Sequence, residues 1–520
     1  MSSNKSTSTF GSSAIAASLQ ARRDFLRSSA ASMAVAGAGL LGAAPIAAFS
    51  QTRVVGQDAV PKSGEYVVRN AIILTLDPTL GDLAAADIHV RGDAIVAVGT
   101  ALQVPASAEV VDGTGMIVMP GLCDSHWHMW NTLFKNMVTP RASYAVLKNA
   151  LGPHHTPLDY YRANRLALTE AIDAGITTVL NYAHHTQSPA HVDAEIRALV
   201  ESGLRGRYAY GGADPTPINQ TIDLADFERA YKEWFDRPSA WKGRVGYGIA
   251  GRAPDFRPGQ TAVGIPEKAV YQKEYSLAAR LGVPLVIHSG QTPGRRVSPA
   301  ALHAEGFADK STVFVHGIVL SPEDRATLVQ TGAALSVSFG NEFRSQRGGD
   351  VRQQTLLLLQ AGGLISLSCD ASSLNRTSIF EQMRIAFAVM TPHEGTPTEK
   401  LAAVTARQCL QMASTNGLKA LGFGEVAGTL SPGKRADFIM LRATDLNLAP
   451  MGELDKTIVH SATNANVDSV VVDGRFLKRG GKILSVDAQQ VRREAVESLY
   501  QIRKRAGGAF APVGDAPGLV

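Results

Sequence analysis

The hydrophobic and polar positions of the chain follow one pattern near both ends and another between them. Short β-like runs separated by turn residues occupy residues 65–119, and a second set lies between residues 437 and 478. Between these sets, apolar runs of four to seven residues alternate with stretches of helical periodicity. The two terminal sets can form one small β-domain, whereas the central alternation is typical of repeated βα units around a parallel sheet.

Eight βα units can be counted in the central region, which predicts an α/β protein with a (β/α)8 (TIM) barrel. Catalytic groups of such barrels project from the carboxyl ends of the strands. Helices are predicted at residues 161–174, 268–281, 322–330 and 379–389, and a last one at 486–505 follows the closing β-runs. The barrel strands are predicted to end near His126, His184, Gly211, Ile249, His288, His316, Ser338 and Asp370.

The first of these strands ends in two histidines, in the stretch PGLCDSHWH at residues 120–128. Because alternate side chains of a strand face the same side, His126 and His128 can both point into the barrel mouth and bind one ion. A His-x-His pair is by itself more often a surface or packing feature. Its position at the start of a βα series favours a metal site here.

Three later apolar strands end in residues of the same chemistry, namely His288, His316 and Asp370. A carboxylate at the end of an apolar strand needs a partner, because an unpaired buried charge is costly, and a metal ion supplies one. Taken singly, His288 could be a satisfied buried histidine and Asp370 a helix N-cap. Together with the His-x-His pair, the three residues predict a metal centre at the barrel mouth.

With these residues, several further motifs resemble the amidohydrolase superfamily, in particular the branch that contains cytosine and S-adenosylhomocysteine deaminases and triazine chlorohydrolases. The motifs are PG before the His-x-His pair, AGITT at residues 174–178, SVS at 336–338 and GTLSPGKRAD at 428–437. The resemblance covers nearly all of residues 65–485. It implies a barrel with a small composite β-sandwich that both chain ends form.

The resemblance implies a metal-dependent hydrolase that cleaves carbon-nitrogen bonds other than peptide bonds. The substrate would be a small cyclic or heterocyclic compound, and deamination is one variant of this reaction. His126, His128, His288 and Asp370 would bind the metal. Asp370 would also carry a proton from the attacking water to the leaving nitrogen, and His316 would hydrogen-bond that water or the oxygen that develops charge.

The ion that such a donor set suits best is Zn²⁺, with Fe²⁺ and Mn²⁺ as alternatives. Binuclear relatives bridge two metals through a modified lysine at the end of the fourth strand. The corresponding segment here, RVGYGIA at residues 244–250, has no lysine. We therefore expect a single divalent metal ion.

Gln291 departs from the pattern of the deaminases in this branch, which usually have a glutamate three residues after the histidine that corresponds to His288. A glutamine can hydrogen-bond a substrate but cannot transfer a proton to a ring nitrogen. Hydrolysis of a cyclic amide, urea-like or amidine bond therefore gains weight against aromatic deamination. Displacement of chloride or a similar leaving group from a triazine-like ring is one alternative, and a catalytically inactive periplasmic binding protein is another.

Four further residues near strand ends are candidates for substrate binding. Trp130, Tyr182 and His184 could form a pocket for a flat ring, although aromatic residues at such positions are as often packing. Glu342 follows the seventh strand and could supply a carboxylate, with a loop salt bridge as its alternative role.

The N-terminal 50 residues resemble a twin-arginine export signal. A Ser-rich start precedes RRDFLR at residues 22–27, an Ala/Gly-rich apolar run follows at 30–49, and small residues precede Gln51 as a cleavage site. This predicts a periplasmic protein that the twin-arginine machinery exports. An uncleaved membrane anchor is the alternative, although Ala and Gly insert less favourably than Leu or Ile.

The remaining composition limits the other function classes. Residues 1–50 contribute four basic residues against one acidic, so most of the formal net charge of +5 lies there and little remains for a nucleic-acid surface. The odd number of cysteines, Cys123, Cys369 and Cys409, predicts buried free thiols. A small molecule is the expected partner, and the sequence leaves homo-oligomer formation open.

Five segments follow from these patterns. A signal peptide is predicted at residues 1–50. Residues 65–119 and 426–484 would form the composite β-domain, residues 120–425 the metal-dependent barrel, and residues 485–520 a helix and tail.

Overall fold

The computed structural model describes residues 64–254, 266–289, 297–345, 350–391 and 403–511. The predicted export signal and Gln291 lie outside these ranges. Within them, no helix combines the length and the apolar character needed to cross a membrane.

Strands from both ends of the described chain form one mixed sheet. The N-terminal part contributes β1 (Glu65–Ile73), β2 (Leu83–Arg91), β3 (Ala94–Gly99), β4 (Glu109–Asp112) and β5 (Met116–Pro120). The C-terminal part contributes β14 (Phe438–Arg442), β15 (Val467–Val472), β16 (Arg475–Arg479) and β17 (Lys482–Ile483). Their order is β17-β16-β15-β14-β5-β1-β2-β3, with β4 paired to β1. The composite β-domain predicted from the two terminal sets of β-runs is therefore confirmed.

Eight parallel strands form the second sheet, and each pairs with the next one along the chain. These strands are β6 (Leu122–Trp127), β7 (Ile176–Ala183), β8 (Arg205–Tyr210), β9 (Val245–Gly251), β10 (Leu285–Ser289), β11 (Val313–His316), β12 (Ala334–Val337) and β13 (Leu364–Leu367). Every strand ends within three residues of its predicted end. The predicted (β/α)8 architecture is confirmed.

Helices lie between the barrel strands along the chain and after the last of them. They are α1 (Tyr144–Leu151), α2 (Pro157–Asp173), α3 (Pro189–Ser202), α4 (Leu224–Ala230), α5 (Lys268–Arg280), α6 (Pro299–Ala304), α7 (Pro322–Thr331), α8 (Phe339–Ser345), α9 (Val351–Gln360), α10 (Ile379–Met390), α11 (Ala406–Ala413), α12 (Thr415–Ala420), α13 (Leu454–Ser461) and α14 (Ala488–Ala506). Short 3-10 helices lie at Met129–Phe134, Gly152–His154, Leu446–Leu448, Asn464–Asn466 and Gly508–Phe510, and a π-helical turn at Tyr231–Phe235.

The barrel closes where its last strand meets its first. The His128 amide donates to the Asp370 carbonyl at 2.7 Å, and the Asp370 amide donates to the His126 carbonyl at 3.0 Å. Below this bridge, the Ser125 hydroxyl donates to the Leu367 carbonyl at 2.9 Å. Closure therefore fixes the backbone of three predicted site residues relative to one another.

Strand alternation divides the residues of the mixed sheet between two cores. On β5, Val118 packs inside the β-domain, whereas Ile117 and Met119 join the large core shared with the barrel. Tyr66 of β1 contacts Phe476 of β16, with ring centroids 5.2 Å apart, although three strands separate β1 from β16 in the sheet. The sheet therefore curls around its own core while its other face packs on the barrel.

Two details of the β-domain differ from the predicted β-runs. Strand β1 is continuous through a bulge, where the register shifts between Val68 and Ala71 and Asn70 has φ 59°. Strand β4 was not predicted, because only Val111 of its four residues is buried. The three cysteines are buried and unpaired, as expected.

A buried ion pair joins the barrel to the β-domain. Arg205, the first residue of β8, donates to both carboxylate oxygens of Asp437 at 2.6 and 3.2 Å and to Asp473 at 2.5 Å. Both Arg205 and Asp437 are 1% exposed. Asp437 is the last residue of the GTLSPGKRAD stretch, so this turn helps to join the barrel to the β-domain.

We expect Asp437→Ala to lower the free energy of unfolding by about 3–5 kcal/mol, because it leaves a buried guanidinium without its main partner. Urea denaturation measures this loss. Asp93→Ala is a matched control, since Asp93 pairs with Arg435 at the surface and such pairs contribute about 1 kcal/mol or less. Equal losses in the two variants would contradict the role of the buried pair.

Candidate metal centre

The carboxyl ends of four barrel strands bring the five predicted histidine and aspartate residues together. Two overlapping groups have ligand atoms within 4.8 Å of one another, and either group could hold a metal ion. One group is His126, His288 and His316, and the other is His126, His128 and Asp370. Between them, the two groups contain all five residues singled out in the sequence, although neither group contains the four expected ligands together.

His126 lies at the centre of this cluster and is fully buried. Among the described residues, neither of its ring nitrogens has a hydrogen-bond partner, although Nε2 lies 3.3 Å from Asp370 Oδ1. Burial and the nearby His128 lower the pKa of His126 to about 3, so the imidazole is neutral. Leaving a buried polar group unpaired is costly, and a bound cation would remove that cost.

His128 is oriented by its second ring nitrogen. Its Nδ1 donates to the Tyr182 carbonyl at 3.2 Å, which leaves Nε2 directed at Asp370 Oδ1 at 3.3 Å. Metal-binding histidines commonly donate their other ring N–H in this way, which fixes both the tautomer and the ring plane.

Asp370 has a left-handed backbone conformation, with φ 62°. Its Oδ2 accepts a hydrogen bond from the Asn341 side chain, whereas Oδ1 faces His126 and His128. Burial by itself would raise the pKa of the Asp370 carboxyl, but His126, His128 and the charge of His316 hold it well below its usual range. Asp370 is therefore an ionised carboxylate in the described structure.

His316 and Glu342 form a second buried pair in the cluster. His316 Nδ1 lies 2.9 Å from Glu342 Oε1, which also accepts the Ser338 amide at 3.0 Å. His316 has φ 77°, and its ring stacks on that of His288 with centroids 5.2 Å apart. Burial raises the pKa of Glu342. The pair holds the His316 ring against the cluster.

A cavity of about 870 Å³ opens onto the cluster, a size typical of small-molecule sites. Several site residues line its floor, namely His128, His288, His316, Glu342 and Asp370. Its walls include Tyr144, Lys148, Tyr182, His184, Asp214, Arg252 and Asn341. The predicted metal centre is therefore accessible to a ligand.

The amidohydrolase family profile matches residues 117–477, which spans the barrel and most of the C-terminal β-strands. The chain belongs to the amidohydrolase family. It is 27% identical over 455 residues to the 5'-deoxyadenosine deaminase of Methanosarcina mazei, covering 85% of this chain and 99% of that protein. It is 27% identical over 458 residues to the 5-methylthioadenosine/S-adenosylhomocysteine deaminase of Moorella thermoacetica, covering 84% and 100%.

Solved structures of similar fold include two proteins with zinc. The atrazine chlorohydrolase TrzN from Arthrobacter aurescens TC1, complexed with zinc, gives a TM-score of 0.70 at 20% identity and covers 83% of this chain and 99% of its own. An adenosine deaminase from Xanthomonas campestris with bound zinc gives 0.72 at 19% identity and covers 85% and 100%. These likenesses support the fold of this amidohydrolase.

The predicted pocket residues of this amidohydrolase lie at different depths. Tyr182 and His184 line the cavity, whereas Trp130 is fully buried behind His184 and does not border it. The expectation that Trp130 contacts substrate is corrected, because the 3-10 helix after β6 turns its side chain towards Tyr160. Glu342 reaches the cavity, but its Oε1 is occupied by His316 and Ser338.

Sequence reasoning missed several cavity residues of the amidohydrolase. Tyr144 and Lys148 share one face of α1, and this spacing of four residues was a usable signal. Asp214 and Asn341 lie in loops or at a helix start and carried no such signal. Asp124, two residues before His126, is buried under the cluster, where it accepts a hydrogen bond from the His126 amide at 3.2 Å. Burial raises the pKa of Asp124 to about 7.

We expect zinc to raise the melting temperature of metal-free protein and to bind at about one ion per chain. His126→Ala should abolish both effects, because it removes the central ligand. His191→Ala is the matched control, since both ring nitrogens of this buried histidine already have protein partners, Ser188 and the His155 carbonyl. Elemental analysis and calorimetry measure the outcome. Zinc binding that survives in His126→Ala would contradict the proposed centre.

Proposed function

We propose that this amidohydrolase is a metal-dependent deaminase of an amino-substituted nitrogen heterocycle, of the kind found in 5'-modified adenosine nucleosides. The observation that carries the proposal is the cluster of imidazoles and one carboxylate at the floor of an 870 Å³ cavity. The names of the deaminase relatives, which match over almost their whole length, support the choice of reaction and substrate class.

The residues of the cluster fit a divalent ion. Three imidazoles and a carboxylate are donors that zinc accepts, and the unpartnered ring nitrogens of His126 favour an ion over a purely structural role. His126, His128, His288 and Asp370 would hold one ion, most favourably Zn²⁺. When bound, the ion would supply a water of lowered pKa as the nucleophile.

Asp370 is the proposed proton carrier. Its carboxylate is ionised, and Asn341 fixes Oδ2 while Oδ1 faces the cluster. It accepts the proton of the attacking water as the new carbon-oxygen bond forms and the π electron pair of the ring C=N bond moves onto the ring nitrogen. It then returns this proton to the amino nitrogen. The ring C=N bond re-forms as the carbon-nitrogen bond to the amino group breaks, so that ammonia leaves and the ring keeps a hydroxyl group.

His316 is the proposed stabiliser of the attacking oxygen. Because Nδ1 is engaged with the Glu342 carboxylate, a hydrogen bond to the water or to the oxygen on the tetrahedral carbon falls to Nε2. In this role the imidazole carries a hydrogen on each nitrogen, so that Nδ1 donates to Glu342 and Nε2 to the oxygen. Glu342 therefore acts through His316 in this proposal.

We expect the zinc-loaded protein to release ammonia from 5'-deoxyadenosine, 5'-methylthioadenosine or S-adenosylhomocysteine. The substrate panel also contains adenosine, adenine, cytosine and atrazine, and ammonia and chloride are both measured. Chloride release without ammonia release would favour the ring-displacement alternative. Tight binding of a panel compound without turnover of any would favour the inactive binding protein and overturn the deaminase proposal.

We expect Asp370→Asn to lower kcat by about 100-fold to 10,000-fold, because an amide cannot accept the proton of the attacking water. Steady-state kinetics on the best panel substrate measures this, and metal analysis of the variant separates lost chemistry from lost ion. Asp236→Asn, at an exposed position, is the control and should match the wild type. A kcat for Asp370→Asn within about threefold of wild type would contradict the assignment.

The location of the reaction is a separate proposal. The twin arginines at residues 22–23 and the apolar run after them favour export to the periplasm through the twin-arginine machinery. Fractionation of cells that express the full chain, compared with a variant in which both arginines are lysines, would test it. Retention of the wild-type chain in the cytoplasm would contradict export.

A further inference from the structure

Three side chains connect the wall of the barrel to the cavity through hydrogen bonds. Trp130 Nε1 lies 3.3 Å from His184 Nδ1, and His184 Nε2 lies 3.3 Å from the Tyr144 hydroxyl. Trp130 is fully buried, whereas His184 and Tyr144 line the cavity. The His184 ring packs on that of His128, with centroids 4.1 Å apart. This hydrogen-bonded series therefore lies beside the metal centre.

The direction of the first hydrogen bond follows from its chemistry. An indole N–H can only donate, so His184 Nδ1 must be the acceptor and carries no hydrogen. An imidazole whose Nδ1 carries no hydrogen cannot be the doubly protonated cation, so the ring is neutral. A neutral imidazole has one N–H. The hydrogen of His184 is therefore on Nε2.

The second hydrogen bond then runs from His184 to Tyr144. Because Nε2 donates, the Tyr144 oxygen accepts, and its own hydrogen must point elsewhere. Burial raises the pKa of the Tyr144 hydroxyl above its usual range, so the hydroxyl keeps its proton.

We infer that Tyr144 presents its hydroxyl hydrogen to the cavity and donates a hydrogen bond to a lone pair of the substrate, either a ring nitrogen or an oxygen. The substrate part of this inference rests on the proposed function, whereas the direction of the hydrogen does not. Tyr144 is thus a substrate-binding donor, and Trp130 and His184 are the positioning residues that orient it. The site therefore favours substrates that have a hydrogen-bond acceptor opposite the Tyr144 hydroxyl and disfavours substrates that have an N–H there.

The direction of the hydrogens can be tested without any substrate. Neutron diffraction on deuterium-exchanged crystals of the zinc-loaded protein should show deuterium on Nε2 and not on Nδ1 of His184. It should also show the Tyr144 O–D pointing into the cavity. Deuterium on Nδ1 of His184, or a Tyr144 O–D directed at His184 Nε2, would overturn the inference even if the protein proves to be a deaminase.

The binding role is tested by Tyr144→Phe with the best substrate of the panel. We expect kcat/KM to fall by about 10-fold to 100-fold, mostly through KM, with zinc content unchanged. Tyr161→Phe is the matched control, because its hydroxyl bonds to Glu201 away from the cavity. A fall in kcat/KM of less than about threefold for Tyr144→Phe would overturn the binding role.

Substrate analogues identify the acceptor and exclude a merely structural effect. The penalty of Tyr144→Phe is measured with 1-deaza, 3-deaza and 7-deaza purine nucleosides and with 2',3'-dideoxy nucleosides. It should largely disappear for the one analogue that lacks the accepting atom, as a double-mutant cycle requires. The same penalty for every analogue would show that Tyr144 supports the fold of the site and not the substrate. Without turnover on the panel, the neutron result alone decides the donor direction.

Discussion

The pairing of Asp370 with the two histidines of the first strand is the constraint on which the rest of the site depends. Two backbone hydrogen bonds, from the His128 amide and to the His126 carbonyl, join the last barrel strand to the first. The same bonds bring the Asp370 carboxylate to 3.3 Å from both imidazoles. Closure of the barrel and assembly of the cluster are therefore one event, which suits a centre that must be rigid before a substrate arrives.

Several features of the cluster destabilise the folded protein when no ion is bound. His126 is buried with unpartnered ring nitrogens in the described structure, and His185, His316 and Asp370 have left-handed backbones at strand ends. Each such conformation costs about 1–3 kcal/mol and persists only where the surrounding structure enforces it. The buried Arg205–Asp437 pair and the two packed cores supply that support from the opposite end of the barrel. Strain at one end and stability at the other are typical of (β/α)8 enzymes.

The fold of this amidohydrolase is compatible with more than one reaction, because relatives of similar fold include an atrazine chlorohydrolase and an adenosine deaminase. Discrimination between such reactions must therefore lie in the cavity wall. In the described structure that wall carries polar side chains of different character, among them Tyr144, Lys148, Asp214 and Arg252. Lys148 Nζ and Asp214 Oδ2 form an ion pair at 2.5 Å, so their charges offset each other at the cavity wall.

Local pattern was sufficient for the barrel strands, the main helices and the residues that meet at the cluster. A strand that is buried on both faces is a short apolar run, and the polar residue that ends it is visible without any partner. His126, His128, His288, His316 and Asp370 could therefore be found in the sequence alone. What the tertiary structure decided is which side chains beyond those strand ends reach the cavity. Trp130 turns away, Tyr144 arrives on a separate helix, and Glu342 meets His316, because loops and helix packing depend on contacts between residues far apart in the chain.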